Sequence, residues 1–258
     1  MMRRVSSIAY NTFREVIRDR ILYNLVAFAL LLIGSSLLFG KISVGVEKII
    51  LINLGLTALS LFGVVIAIFI GIGLVSKDIE RRTLYTVLAR PVRRWEFVLG
   101  KFAGLSGTLV INAAAMLAGI FVTLLLLTRQ LSHADLAVVA AAWLILLELL
   151  IVTALALLFS TFSTPVLSAI FAFLLFVVGN FGEDLWTYAR DLHGFARAAM
   201  MIAGSLVPNL AQLNVISEAA HGQIPSARVL GLGTAYSIVY VGAVLGVAMA
   251  IFERRTLK

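Results

Sequence analysis

Residues 77–101 read KDIERRTLYTVLARPVRRWEFVLGK and carry acidic and basic side chains at close intervals. Apolar runs flank this stretch on both sides, at about 49–75 and 102–128. Each run is long enough to cross a bilayer, whose hydrocarbon core needs about 20 helical residues. The pattern therefore predicts two membrane spans joined by a connection that is far more charged than a simple turn requires.

The composition of the whole chain is that of a membrane protein. Of its 258 residues, 61% are hydrophobic and 13% are charged, and the mean hydropathy is +1.05. Soluble domains are only about half apolar. The apolar runs are continuous and lack the in-out alternation of a transmembrane barrel, and only helices and closed barrels satisfy their backbone groups in lipid. We therefore predict an all-α integral membrane protein.

Six apolar runs qualify as membrane-spanning helices of one domain. They lie at about 21–39, 49–75, 102–128, 134–159, 164–181 and 229–252. A charged segment precedes the first run and no small-residue cleavage pattern follows it, so we expect this run to remain as an anchor. The chain then divides into an N-terminal cytoplasmic segment, 1–20, and a six-helix transmembrane domain, 21–258.

Lys and Arg residues are distributed unequally between the two sides of this topology. Of the 21, fifteen lie at the N-terminus, in the stretch 77–101 and at the C-terminus, and six lie in the other connections. By the positive-inside rule, both termini and the connection 76–101 are expected in the cytoplasm, with 182–228 on the outer side. The net charge of +8 then reflects topology and attraction to anionic lipid, so we expect no nucleic-acid partner.

The N-terminal segment 1–20 has the pattern of an amphipathic helix. Apolar residues recur at steps of three and four, and polar residues fall on the opposite side. The apolar set is Val5, Ile8, Ala9, Thr12, Phe13, Val16, Ile17 and Ile21. A basic helix of this kind suits the cytoplasmic membrane interface. The alternative is a charged flank that sets topology and is helical only incidentally.

The polar stretch itself predicts a helix-turn-helix elbow. A short helix is favoured from Asp78 to Ala89, and Pro91 ends it because proline disfavours helix at the residue before it. A second helix is expected to begin near Arg93 and to continue into the third span. A connection that only sets topology needs positive charge but neither acidic residues nor an apolar stripe. We therefore favour a protein-docking surface over a charge anchor.

Three stretches carry a resemblance to a known family. KDIERRTLYTVLARPVRRWEFVLGK (77–101) closely resembles the cytoplasmic signature of the ABC type-2 (ABC-2) transporter permeases, in which an acidic-basic patch, Thr-Leu, Pro and Glu-Phe precede a Gly-Lys entering the third span. YNTFREVIRDRILYN (10–24) looks like the N-terminal interface helix of that family. SLVPNLAQLNV (205–215) is similar to an external segment of the subgroup related to the nitrous-oxide-reductase maturation permease.

The resemblance covers essentially the whole chain and implies a multi-pass permease subunit of the inner (cytoplasmic) membrane, and export as its direction. Such permeases form homodimers or heterodimers and work with two copies of a cytoplasmic ATPase subunit, which binds ATP and Mg. The connection between their second and third spans is a coupling helix that sits in a groove of the ATPase. Carried over to this chain, the docking residues are Asp78, Glu80, Arg81, Arg82, Thr83 and Leu84.

The chain itself encodes no nucleotide site of the phosphate-loop type. That loop needs G-x-x-x-x-G-K-[ST], and the two Gly-Lys pairs, at 40–41 and 100–101, are followed by Ile42 and Phe102. We therefore expect neither enzymatic activity nor a cofactor in this chain. Two other classes stay open: an ion-coupled secondary transporter, disfavoured by the lack of an obvious repeat, and an intramembrane enzyme, disfavoured because all three histidines lie outside the predicted spans.

The connections that flank the fifth span differ in length. The fourth and fifth spans are joined by a tight turn at about Ser160–Thr164, before Pro165. The fifth and sixth spans are joined by 182–228, where helical spacing predicts one amphipathic helix before Pro208 and another over Leu210–Ala219. These resemble the external helices that cap the exit of ABC-2 permeases. A folded outer loop with no gating role is the alternative.

Four polar residues within the spans are candidates for the transport pathway. Glu148 lies deep in the fourth span, which contains no basic residue, so its carboxyl group must face protein or water or be neutral. The other candidates are Asn53, Asn112 and Asn180. Hydrogen bonding between helices is the alternative role for all four.

Glycine and histidine positions complete the set of candidates. Gly242 and Gly246 form a G-x-x-x-G pair, which permits close helix approach within the subunit or between two copies. The chain has no cysteine, and His133, His193 and His221 lack the spacing of metal ligands. We therefore expect no metal site.

Overall fold

The computed structural model describes residues 2–18, 20–42, 45–80, 94–130, 132–181 and 207–254. All regular structure within these ranges is helical. The α-helices are α1 (Met2–Ile17), α2 (Arg20–Ile42), α3 (Glu47–Glu80), α4 (Arg94–Thr128), α5 (Leu136–Ser160), α6 (Pro165–Asn180), α7 (Ile216–Ala220) and α8 (Ala227–Arg254), with 3₁₀ turns at His133–Asp135 and Ala211–Leu213.

Four stretches of the described helices are long and apolar enough to cross a bilayer. They are Glu47–Ile72, Trp95–Thr128, His133–Ser160 and Ala227–Glu253, with shorter apolar helices at Leu25–Ser35 and Pro165–Asn180. The predicted all-α membrane fold is confirmed at this level, and the count of six spans stays a prediction. With 16 residues, α6 is only about 24 Å long, less than the roughly 30 Å hydrocarbon core.

The helix boundaries at the charged elbow differ in part from those expected. The separate helix predicted to begin at Asp78 is wrong at its start, because α3 runs unbroken through Asp78 to Glu80. Residues 74–80 contain neither Gly nor Pro, so no residue interrupts the helix there. At the other end of the elbow, α4 begins at Arg94, one residue beyond the expected start.

The centre of the bundle is α3, which packs against α2, α4 and α5. Its glycines allow this close approach. A Cβ atom added at Gly63 would lie 2.6 Å from Leu149 of α5, and one added at Gly71 would lie 2.8 Å from Ala156. Helices in lipid associate through van der Waals packing of small residues, because lipid tails are as apolar as leucine. The glycines of α3 therefore set its distance from α5.

The N-terminal helix α1 lies against the first half of α4, where three glycines face it. A Cβ atom added at Gly104 would lie 2.5 Å from the carbonyl oxygen of Ala9, and one added at Gly100 would lie 2.7 Å from Ile8. Gly107 faces the ring of Phe13 at 3.4 Å. The polar side of α1 is exposed, at Asn11, Arg14 and Glu15. The amphipathic pattern thus reflects packing of one side of α1 on a glycine-lined helix surface.

Helix ends meet at two opposite ends of the bundle. At the α1 end, the rings of Phe97 in α4 and Phe252 in α8 stack with centroids 5.9 Å apart. At the opposite end, Lys48 in α3 forms a 2.6 Å salt bridge with Asp135 at the start of α5. The C-terminal end of α8 and the N-terminal helix α1 therefore both contact the beginning of α4.

Replacing Gly104 by alanine tests the packing of α1. We expect Gly104→Ala to lower the unfolding temperature, because a Cβ atom there meets a backbone oxygen, and overpacking costs about 1–3 kcal/mol. Gly231→Ala is the matched control, since no atom of the described chain lies within 4 Å of a Cβ added there. Thermal unfolding of both variants in nanodiscs provides the measurement, and an unchanged midpoint for Gly104→Ala would contradict the close contact.

Candidate functional site

The six residues predicted to dock an ATPase are divided between the last turn of α3 and the stretch of sequence that follows it. Asp78 and Glu80 belong to the last turn of α3. Arg81, Arg82, Thr83 and Leu84 lie outside the described residues. The structure therefore places the helices that enter and leave this segment, and it leaves the docking roles of the six residues as a prediction.

The beginning of α4 is enclosed by other parts of the chain. Glu96 and Lys101 are buried, with 3% and 6% of their surfaces exposed. The Lys101 Nζ atom lies 5.5 Å from the centroid of the Phe97 ring, a cation–π distance, and Phe97 in turn stacks on Phe252. The helix α1 lies along the glycines of the next two turns of α4. A displacement of the beginning of α4 would therefore move α1 and the end of α8 with it.

A second polar site lies inside the bundle and joins two of the predicted pathway residues. Glu148 of α5 is 3% exposed. Its Oε1 atom accepts a hydrogen bond from Asn180 Nδ2 at 3.1 Å. Asn180 is the last residue of α6, and its Nδ2 atom also donates to the Phe176 carbonyl oxygen at 3.1 Å. The short helix α6 therefore ends at the depth of the buried carboxyl group.

The other two pathway candidates lie elsewhere. The Asn53 side chain is exposed on α3, where its Oδ1 atom accepts a 3.5 Å hydrogen bond from the Thr57 hydroxyl group. Asn112 is 7% exposed on α4, and its Nδ2 atom has no hydrogen-bond partner among the described residues. The structure thus brings Glu148 and Asn180 together and separates Asn53 from the buried interior.

Residues 207–222 cover the end of α6. The Leu210 N–H donates to the Gly179 carbonyl oxygen at 3.0 Å, and a Cβ atom added at Gly179 would lie 2.6 Å from the Pro208 carbonyl oxygen. Leu213 is fully buried. The single helix predicted over Leu210–Ala219 is wrong, because a 3₁₀ turn and the five-residue α7 replace it. The helix predicted before Pro208 lies outside the described residues.

This covering segment also contacts α8 through residues that the sequence analysis did not single out. The Asn209 N–H donates to Tyr236 Oη at 2.8 Å, and the Tyr236 and Tyr240 rings are 5.8 Å apart. The Asn209 Oδ1 atom is buried without a hydrogen-bond partner in the described chain. A Pro-Asn pair in sequence indicates only a turn, so local pattern carries no signal for a contact with a tyrosine 27 residues away.

Two further predictions concern metal binding and the G-x-x-x-G pair. Among the described residues, no group of three or more His, Cys, Asp or Glu side chains is placed to hold a metal ion. Gly242 and Gly246 lie on a surface of α8 where an added Cβ atom would meet no atom of the described chain within 4 Å. This G-x-x-x-G pair therefore makes no packing contact within the described part of the subunit.

An apolar helical bundle with four stretches long enough to cross a bilayer defines the class of multi-pass membrane proteins. The family model described as "ABC-2 family transporter protein" matches residues 6–257. The chain belongs to the ABC-2 transporter family, which makes it a permease subunit of an ABC transporter. Comparison with curated proteins gave no match.

The attachment of residues 207–213 to α6 can be tested by thiol labelling, since the chain has no native cysteine. We expect Leu213→Cys to react slowly with a maleimide, because Leu213 is fully buried. Adding Gly179→Val should speed this reaction by roughly tenfold or more, because local opening exposes the buried thiol. Gln212→Cys, at an exposed position, is the control and should label equally in both backgrounds. Equal, slow labelling of Leu213→Cys in both would contradict the attachment.

Proposed function

We propose that this permease couples ATP hydrolysis by a separate cytoplasmic ATPase, present in two copies, to export of a cargo across the inner (cytoplasmic) membrane. Residues 76–101 form the coupling elbow, and Asp78, Glu80, Arg81, Arg82, Thr83 and Leu84 make the ATPase contacts. The family assignment favours this proposal over an ion-coupled secondary transporter or an intramembrane enzyme. ATP and Mg bind to the ATPase.

The observation that carries the proposal is the seating of α1 on Gly100, Gly104 and Gly107, directly after the charged stretch. A connection that only set topology would not require another helix to pack closely on the beginning of α4. Because α1 and Phe252 of α8 both pack on the beginning of α4, a push on the elbow reaches three helices at once. This arrangement supports a role for the elbow in receiving movement from a partner.

The proposed topology has six spans with both termini in the cytoplasm. Contacts at the α1 end group the N-terminal helix with the end of α8, which supports termini on one side. The excess of Lys and Arg supports the cytoplasm as that side. In this arrangement α2 and α6 are the remaining two spans, and residues 207–222 complete the outer end above the short α6.

Single cysteines at the two ends test this topology. Tyr10 in α1 is 62% exposed, and Glu218 in α7 is exposed at the other end. In intact cells stripped of any outer membrane, an impermeant maleimide should label Glu218→Cys and leave Tyr10→Cys unmodified. Inverted vesicles should give the reverse pattern. Labelling of Tyr10→Cys from outside would contradict the proposed orientation.

We further propose that two copies of the permease assemble, as a homodimer or with a related chain. The Gly242–Gly246 surface of α8 is open in the described subunit and is available for packing against a second helix. The likeness of 205–215 to the nitrous-oxide-reductase maturation subgroup stays a prediction.

A double substitution that changes no Lys or Arg residue tests coupling. The double variant Glu80→Gln/Thr83→Val leaves every Lys and Arg in place, so topology should hold. We expect ATPase capture to fall by roughly tenfold or more, because a polar contact across a docking surface is lost. The measurements are pull-down of the ATPase and coupled ATP hydrolysis in nanodiscs.

The control for this variant is Glu218→Gln, which removes one exposed carboxylate at the opposite end and should leave both readouts unchanged. Full ATPase capture together with full coupled hydrolysis by Glu80→Gln/Thr83→Val would reduce the elbow to a topology anchor.

A further inference from the structure

Glu148 belongs to a closed series of contacts that joins α5, α6, the segment 207–213 and α8. Its carboxyl group bonds to Asn180, and the preceding residue of α6, Gly179, accepts the Leu210 N–H. The neighbouring Asn209 N–H then bonds to Tyr236 of α8. Four separate parts of the chain therefore converge at the outer end of α6.

The tyrosines of α8 lie at about the level of Glu148. A Cβ atom added at Gly233 of α8 would lie 3.2 Å from Leu144 of α5, and Trp143 Nε1 donates to the Thr234 hydroxyl group at 3.1 Å. The end of α8 lies at the α1 end of the bundle, where Phe252 stacks on Phe97, and the start of α5 lies at the opposite end, where Asp135 pairs with Lys48. The two helices α5 and α8 therefore run in the same direction. One turn further along both helices, Glu148 falls level with the part of α8 between Tyr236 and Tyr240.

This region offers several hydrogen-bond acceptors to a ligand. They include the Glu148 carboxylate and the buried, unpartnered Asn209 Oδ1 atom, and the C-terminal end of α6 adds the negative end of a helix dipole. Neither α5, α6, residues 207–222 nor residues 229–253 contain a Lys or Arg. These parts of the site thus bring acceptors and a carboxyl group together, and the two arginines of α8, Arg228 and Arg254, lie at its ends.

We propose that Glu148, Asn180, Asn209, Tyr236 and Tyr240 form a binding site for a protonated organic amine, which is the class of cargo that the permease moves. An ammonium group supplies N–H donors to the carboxylate and amide oxygens and a charge that aromatic faces attract. A single carboxyl group is a poor set of ligands for a divalent metal. The assignment of the ligand as cargo rests on the proposed transport function.

Binding of quinacrine, a fluorescent lipophilic diamine, to the full chain in nanodiscs tests the site. We expect saturable binding above that of empty nanodiscs, and a loss of affinity of roughly tenfold or more in Glu148→Gln, because a hydrogen bond to a charged group is removed. Asn209→Ala keeps the backbone bond to Tyr236 and removes the unpartnered oxygen, so it should weaken binding roughly threefold to tenfold. Glu218→Gln is the matched control and should bind as the parent does.

Several outcomes would overturn this assignment. They are absence of saturable quinacrine binding, equal affinity in parent and Glu148→Gln, equal competition by the anion 8-anilinonaphthalene-1-sulfonate, and displacement by Na⁺ or K⁺, which would indicate an inorganic cation site. Unfolding temperatures show whether Glu148→Gln is folded, and Asn209→Ala provides the reading if it is not. ATPase capture by the same preparations separates this proposal from the proposed function. If the permease captures its ATPase but binds quinacrine equally well with and without the Glu148 carboxylate, the amine site is contradicted and the proposed coupling to an ATPase is not.

Discussion

Close approach of helices at glycine is the interaction on which this bundle depends. Lipid provides no hydrophobic driving force between apolar helices, so contact area between their surfaces must hold them together. Gly55, Gly63 and Gly71 bring α3 against α4 and α5, and Gly119 brings α4 against Leu30 of α2. Glycines also hold two elements that are not among the long apolar stretches: Gly100 and Gly104 contact α1, and Gly179 contacts residues 208–210.

The fold class followed from composition because lipid leaves an apolar chain few choices. A backbone in hydrocarbon must satisfy its own hydrogen bonds, so continuous apolar runs become helices. Helix boundaries that depend on a single residue were also predictable, and Pro165 at the beginning of α6 is an example. The change from apolar to charged residues near Asp78 predicts a new element, but α3 continues to Glu80, because charged residues without Gly or Pro do not interrupt a helix.

The candidate site was predictable only where one residue carried the signal. A carboxyl group in an apolar run marked Glu148, and an amide in the next run marked Asn180, but their 3.1 Å contact depends on α6 ending at that depth. Asn209 and Tyr236 gave no signal, since their meeting requires residues 207–213 to fold back onto the helices. The packing of α1 on α4 could not be predicted from either helix alone, because three glycines on one helix do not indicate which element lies against them.

The placement of Gly100, Gly104 and Gly107 determines which kinds of motion α4 can pass along. The three glycines fall on one face over two turns, and α1 lies in the shallow channel that they make. Spinning α4 about its own axis would replace this channel with the side chains of neighbouring residues and lift α1 away. Tilting α4 as a rod carries α1 with it and leaves the channel filled. The contact between α1 and α4 therefore resists rotation of α4 about its own axis and permits tilting. A movement that starts at the beginning of α4 can then reach the rest of the bundle only as a tilt of this helix.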